Sequence, residues 1–182
     1  MENPDDKKNA DNKTEKEVNV SAAIRAMCSK EFGVLDSSFL CQSLSMMNPV
    51  EPFCVNQSAS LNDAIALLQK HHIGCVLVVD QRGKLVGIFT ERDCMLKVVG
   101  KNLDLAQTPI ADLMTRDPVA ESPDTTTAFG LNLMSHGGFR HLPLVDQEGL
   151  PVGIISIKNI VDFIVDTMTR DLLNFAVQET IR

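Results

Sequence analysis

Tryptophan and tyrosine are missing from this chain, and phenylalanine alone brings the aromatic share to 4%. With 44% hydrophobic residues in 182, the core must be aliphatic, and eight Met and eight Phe fill its gaps. A basic excess is missing too. Lys and Arg number 17 against 24 Asp and Glu, a net charge of −7, which argues against a surface that neutralises a nucleic-acid backbone. A small nucleotide needs only one or two cations in a pocket and is not excluded. The five cysteines (Cys28, Cys41, Cys54, Cys75 and Cys94) are odd in number and contain no C-x-x-C pair. That usage predicts a reducing cytosol and no disulfide framework. No stretch approaches the roughly 18 apolar residues of a membrane span. The polar start, Met1-Glu-Asn-Pro-Asp-Asp-Lys-Lys8, reads as neither signal peptide nor anchor. The expectation is a soluble, cytoplasmic protein with no membrane or nucleic-acid partner. Catalytic constellations are also lacking. No Ser/His/Asp triad, metal-ligand spacing or carboxylate pair stands out, so neither an enzyme nor a metal site is expected.

What the chain does contain is a repetition. Slid 66 positions along itself, Cys75–Thr90 lies on His141–Ser156, and no gap is needed from Pro52/Pro118 to Asp93/Asn159. Identical pairs include Leu67/Leu133, Asp80/Asp146, Gly83/Gly149, Gly87/Gly153 and Ile88/Ile154. A duplicated unit that cannot close its own core packs against its copy, and the groove between them is the natural place for a ligand.

Local patterns order each copy as β-α-β-β-α. In the first, a brief strand near Phe53-Cys54-Val55 precedes Ser60, an N-cap with Asp63 in the capping-box position. Leu61, Ala64, Ile65 and Leu68 follow at helical spacing. Val76–Val79 is an apolar strand, Asp80-Gln-Arg-Gly83 a tight turn, and Leu85–Phe89 the return strand. Thr90 then caps a helix expected to run to about Val99. The last helix starts near Ser156 and extends past the repeat through Ile164, Met168, Leu172 and Phe175. The predicted divisions are a disordered charged tail (1–18), a lead-in of short helices (19–45), repeat one (46–99), a polar linker (100–111), repeat two (112–165) and a helical extension (166–182). The fold class is α/β, of the α+β type.

Both hairpins end in the same device. Gly87-Ile-Phe-Thr-Glu-Arg-Asp93 and Gly153-Ile-Ile-Ser-Ile-Lys-Asn159 each read Gly, two apolar residues, a hydroxyl, then an acid or amide three positions on. The hydroxyl sits at a strand-to-helix junction, where free N–H groups and the helix dipole favour an anion. A carboxylate one turn later accepts hydrogen bonds from both hydroxyls of a ribose. The glycine leaves room for a ligand or for a neighbouring backbone. Thr90 and Ser156 are equally readable as simple N-caps; recurrence at the same phase of the repeat favours the ligand. The histidines His71, His72 and His136 end helices and read as structural.

Phe139-Arg-His-Leu-Pro-Leu-Val-Asp146 with Gly153-Ile-Ile-Ser156 resembles the CBS domain, and two such units in tandem resemble a Bateman module. The resemblance covers roughly residues 46 to 165. It implies two CBS repeats packed about a pseudo-twofold axis, with clefts for an adenine-containing ligand: AMP, ADP or ATP, with S-adenosylmethionine and NAD as alternatives. It implies no required cofactor, a homodimer, and a regulated partner protein. The ribose contacts it implies are Thr90, Asp93, Ser156 and Asn159, and the phosphate contacts Arg140 and His141. Gly87, Gly153 and Pro143 would form pocket wall. The pattern is split, because Asn159 replaces an acid while Gly74 and Cys75, opposite Arg140 and His141, carry no charge. Thr90, Asp93, Arg140 and His141 are therefore expected to converge on one competent cleft. The competing expectation is a structural dimerisation module with vestigial clefts.

Overall fold

The computed structural model of the chain describes residues 37–180, with side chains from Phe39 to Arg170. The charged tail and most of the lead-in lie outside those bounds, as do the side chains of the stripe positions Leu172 and Phe175. After a short helix α1 (Ser37–Cys41), the clefts and both repeats fall within the unit Leu40–Arg182.

In the first copy β1 (Cys54–Asn56) leads to α2 (Leu61–His71), then to the hairpin of β2 (Cys75–Val79) and β3 (Leu85–Thr90). Ser60 and Asp63 close the expected capping box, and α2 buries Leu61, Ala64 and Leu68. These meet Val76, Val78 and Phe89 in one aliphatic core. β2 pairs parallel with β1 and antiparallel with β3. Its first four residues are all buried, so it reads as a continuous apolar run rather than an alternation. Asp80 builds the turn: its carboxylate accepts from the N–H groups of Arg82 and Lys84 at 2.8 and 2.9 Å, and Gly83 takes φ +81°. Asp146 and Gly149 (φ +83°) repeat this between β5 (His141–Val145) and β6 (Pro151–Ser156).

The second copy departs from the first at its opening strand. The counterpart of β1 shrinks to a single parallel bridge, Glu121 to Leu144. In the first copy the N–H of Leu77 donates to Phe53 O at 2.9 Å. The residue equivalent to Leu77 is Pro143, which has no N–H, so that bond cannot form and the strand is cut short.

The two copies exchange arms, an arrangement that no local sequence pattern encodes. The segment leading into repeat two forms β4 (Thr115–Arg116), which pairs with β3 of repeat one. Reciprocally, Val50, leading into repeat one, bridges Ile154 of β6. Further out, Ser60 bridges Pro109 while Ser43 bridges Thr126 at the start of α4 (Thr127–Gly137). Those two bridges superpose under the 66-residue offset. Between the hairpins Cys75, Leu77, Ile88 and Ile154 form a shared apolar cluster.

Behind Thr90 the chain makes one α-turn, α3 (Glu91–Asp93), and continues as a π-helix through Cys94–Val98, where an uninterrupted α-helix was expected. α5 (Ile157–Thr180) is the long final helix. Val161, Val165 and Met168 on it are 49%, 53% and 39% exposed.

Candidate functional site

Each hairpin's exit faces the other copy across a cleft. The first cleft, about 390 Å³, takes Thr90, Arg92 and Asp93 from repeat one and Gly138, Arg140 and His141 from repeat two. The four residues expected to converge thus share one cavity. Its far wall is the arm through Asp117 and Pro118. The second cleft, about 730 Å³, takes Ser156, Lys158 and Asn159 with Glu51, Gly74 and Cys75. Arg140 and His141 line this cleft too, because they stand at the junction of the copies.

Thr90 and Asp93 form a reciprocal box at the head of α3. Asp93 Oδ2 accepts from the Thr90 N–H at 3.0 Å and from its hydroxyl at 2.7 Å, while Thr90 Oγ1 accepts from the Asp93 N–H at 3.1 Å. The capping role and a ligand role are compatible, since a carboxylate has about four acceptor positions. Lys97 Nζ occupies one more, 2.8 Å from Asp93 Oδ1, and also donates to Leu113 O at 2.8 Å. Burial alone would raise the Asp93 pKa; the hydrogen bonds from Lys97 and Thr90 and the Lys97 charge outweigh it and hold it below the usual value. The site is therefore a fixed carboxylate beside a hydroxyl, at the edge of a cavity.

Ser156 and Asn159 copy this box with an amide. Asn159 Oδ1 accepts from the Ser156 N–H at 2.9 Å and hydroxyl at 2.5 Å, and Asn159 N–H returns a bond to Ser156 Oγ at 3.2 Å. The position equivalent to Lys97 is Phe163, so the ion pair that backs the first box has no counterpart at the matching position of the second. One carbonyl oxygen already accepting twice has little left for a diol.

Arg140 and His141 come from the start of β5. Burial first, then the Arg140 charge, lowers the His141 pKa, with Glu91 partly opposing, so the ring is held neutral. It rests against Gly74: a β-carbon there would lie 2.8 Å from Nε2. Across the first cleft, Arg92 Nη1 donates to Gly138 O at 3.0 Å and ties the copies together.

Three expected wall positions lie elsewhere. Gly87 faces the exchanged arm, where an added β-carbon would collide with Met114 Sδ. Gly153 faces the opposite arm, with Pro49 Cβ 3.2 Å from such a carbon. Pro143 is buried inside β5 and lines neither cleft. These glycines admit a neighbouring segment, the second of the two roles their pattern allowed. Sequence reasoning missed Lys97, Arg92, Asp117 and Glu91. The acid-Pro pairs Glu51-Pro52 and Asp117-Pro118, aligned by the same offset, were a signal for the arms. Among the described residues, no three His, Cys, Asp or Glu side chains cluster to hold a metal ion. No helix there is long and apolar enough to cross a membrane.

The family model of the CBS domain matches this chain twice, at residues 43–100 and 110–166. An uncharacterized 17.7 kDa protein of Acidianus ambivalens is 29% identical over 126 residues, covering 69% of this chain and 75% of that protein. CBSCBSPB5 of Arabidopsis thaliana is 33% identical over 116 residues, 64% of this chain, which spans only 20% of that longer protein. Among solved structures, the CBS domain pair of protein MJ0100, in complex with 5′-methylthioadenosine and S-adenosyl-L-methionine, matches with a TM-score of 0.60 at 27% identity. The match covers 66% of this chain and 98% of that one. CBSX2 in complex with AMP matches with a TM-score of 0.59 at 26% identity, covering 69% and 97%.

Proposed function

The chain belongs to the CBS-domain family, as two tandem copies, and on that premise we propose that it is a regulatory module that binds an adenine nucleotide or related adenosyl ligand in its first cleft. The observation that carries this reading is the meeting of Thr90 and Asp93 from one copy with Arg140 and His141 from the other around one cavity. Asp93 and Thr90 take the ribose hydroxyls; Arg140, with His141 as a neutral donor, takes the phosphate. The relatives crystallised with AMP and with S-adenosyl-L-methionine support the adenosyl class.

A ligand held by both copies clamps them. It shifts the helices that follow each hairpin only if it binds the two arrangements with different affinity. Asp93 is tied through Lys97 to Leu113 in the exchanged arm, which gives that clamp a route to the junction between copies. The readout is a regulated partner protein, and no catalytic step is assigned to the module. Two copies of the chain pair through the exposed apolar stripes of Met95, Leu96 and Val99 and of Val161, Val165 and Met168. The unpaired cysteine usage supports a cytosolic setting.

The test is a thermal-shift panel of adenosine, AMP, ADP, ATP, S-adenosylmethionine and NAD, with native mass spectrometry for carried-over ligand. At about one hundred times its dissociation constant a binder adds roughly 2.7 kcal/mol, which for this length is a rise of about 5 to 10 °C. A flat panel with no copurified ligand would leave the module as a dimerisation scaffold.

A further inference from the structure

Asp93 has little acceptor capacity left for a ligand. A carboxylate offers about four acceptor positions. Two, on Oδ2, are taken by the N–H and the hydroxyl of Thr90, and one, on Oδ1, by Lys97. The remaining position is on Oδ1, beside the ammonium group. Thr90 Oγ1 has two lone pairs and already accepts from the Asp93 N–H, so it keeps one as well. A vicinal diol can therefore place one hydroxyl on Asp93 and the other on Thr90. Lys97 decides how the first of these acceptors is presented.

A local departure from regular helix puts Lys97 in that position. It sits in the π-helix Cys94–Val98, closed by the Val99 N–H donating to Cys94 O at 3.1 Å. Turns of this kind occur mostly at functional sites. From there Lys97 Nζ reaches both Asp93 Oδ1 and Leu113 O at 2.8 Å, so the ammonium group is fixed at two points. In the second copy three features change together. α5 runs through the matching positions as α-helix, Phe163 stands in place of Lys97, and the acceptor is the neutral amide of Asn159. A part-buried carboxylate needs a neighbouring cation to stay charged, and an amide does not.

We propose that Lys97 is a positioning residue of the first cleft, aligning Asp93 Oδ1 on a ribose hydroxyl and so making the cleft selective for a nucleotide with an intact 2′,3′-diol. The inference rests on the adenosyl reading of that cleft and adds the group that sets its sugar specificity. Without Lys97, burial acts on Asp93 with only Thr90 opposing it, and the acid takes up a proton at higher pH. A protonated acid has fewer acceptor positions and carries a donor of its own. The other charged groups at the site are Glu91 and Arg92 beside Asp93 in the chain, Asp117 on the arm, and Arg140 with His141 on β5. They are the same with or without Lys97.

The experiment is calorimetric titration of AMP, 2′-deoxy-AMP and 3′-deoxy-AMP into the full chain at pH 7.5, 6.5 and 5.5. The proteins are the wild type, Lys97→Met, Lys97→Gln (a donor without the charge) and Lys97→Arg. Each variant is read as a ratio to the wild type at the same pH, so titration of His141 and of the ligand phosphate cancels. The wild type is expected to prefer AMP over each deoxynucleotide about tenfold. Lys97→Met and Lys97→Gln are expected to bind AMP about tenfold more weakly at pH 7.5 and to fall further behind at pH 5.5. Both lose the preference over the deoxynucleotide that lacks the hydroxyl held by Asp93. Lys97→Arg, which keeps the charge, restores most of the affinity and the preference. Preferences and pH ratios unchanged in Lys97→Met and Lys97→Gln, the result of a lysine that serves stability alone, would overturn the proposal. AMP binding that is lost in Asp93→Ala but unchanged in Lys97→Met would remove this inference alone. Binding of no nucleotide by the wild type would remove the reading of the first cleft as well.

Discussion

The His141 ring occupies the volume that any side chain at Gly74 would need: a β-carbon there would lie 2.8 Å from Nε2 and 2.9 Å from Cε1. The missing cation of the first copy is thus the condition for placing His141 at the junction of both clefts. The split of the pattern between the copies is one packing solution.

Gly74→Ala therefore drives His141 off its seat. Overpacking of this kind costs about 1 to 3 kcal/mol, a fall in melting temperature of roughly 2 to 10 °C at this length. Gly74→Ala combined with His141→Ala should recover part of the loss, because the two residues are in direct contact. Additive losses in thermal unfolding would disprove the coupling.

Gly87→Ala separates a structural glycine from a ligand-facing one. The new methyl meets Met114 in the arm between the copies, so about 1 to 3 kcal/mol of stability is lost. The affinity of the folded protein for AMP stays the same. Weaker binding at unchanged stability would return Gly87 to the pocket wall.

Asp93 makes stability depend on acid. Its pKa in the folded chain is below the ordinary 3.8, so its contribution is complete above that value and is lost as pH falls through the lower, folded one. Denaturant midpoints between pH 5 and pH 2 should fall less steeply in Asp93→Asn than in the wild type. Equal slopes would show that Lys97 and Thr90 do not stabilise the charge.

His141 acts in a different window. Its folded pKa is lowered from 6.5, so the unfolded chain takes up its proton first, and stability declines as pH falls from 6.5 toward the folded value. His141→Gln should remove that decline, which urea titrations at pH 7.5, 6.5 and 5.5 would measure.

The local parts of the fold were legible because their causes are local. Ser60 with Asp63, the turns at Asp80-Gly83 and Asp146-Gly149, and the caps at Thr90 and Ser156 each join residues no more than four apart. The exchanged arms were not legible, since Ser43 meets Thr126 and Val50 meets Ile154 only after the two copies have docked. That is why Gly87 and Gly153 looked like pocket wall. Their neighbours Met114 and Pro49 come from arms whose destination no local pattern records. The convergence of Asp93 with Arg140 was inferred from the duplication itself, while Lys97 and Glu91 have no like-charged counterparts in the repeat to draw attention to them.

The most direct measurement of the central claim is calorimetric titration of AMP into the wild type, Asp93→Ala and Asn159→Ala. Each variant loses its capping bonds, worth about 1 kcal/mol, and Asp93→Ala also loses the ion pair with Lys97, so binding is compared at a temperature where thermal unfolding shows both variants folded. The account predicts that Asn159→Ala binds AMP like the wild type and that Asp93→Ala does not bind it. AMP binding that survives in Asp93→Ala and disappears in Asn159→Ala would contradict it and move the nucleotide to the second cleft.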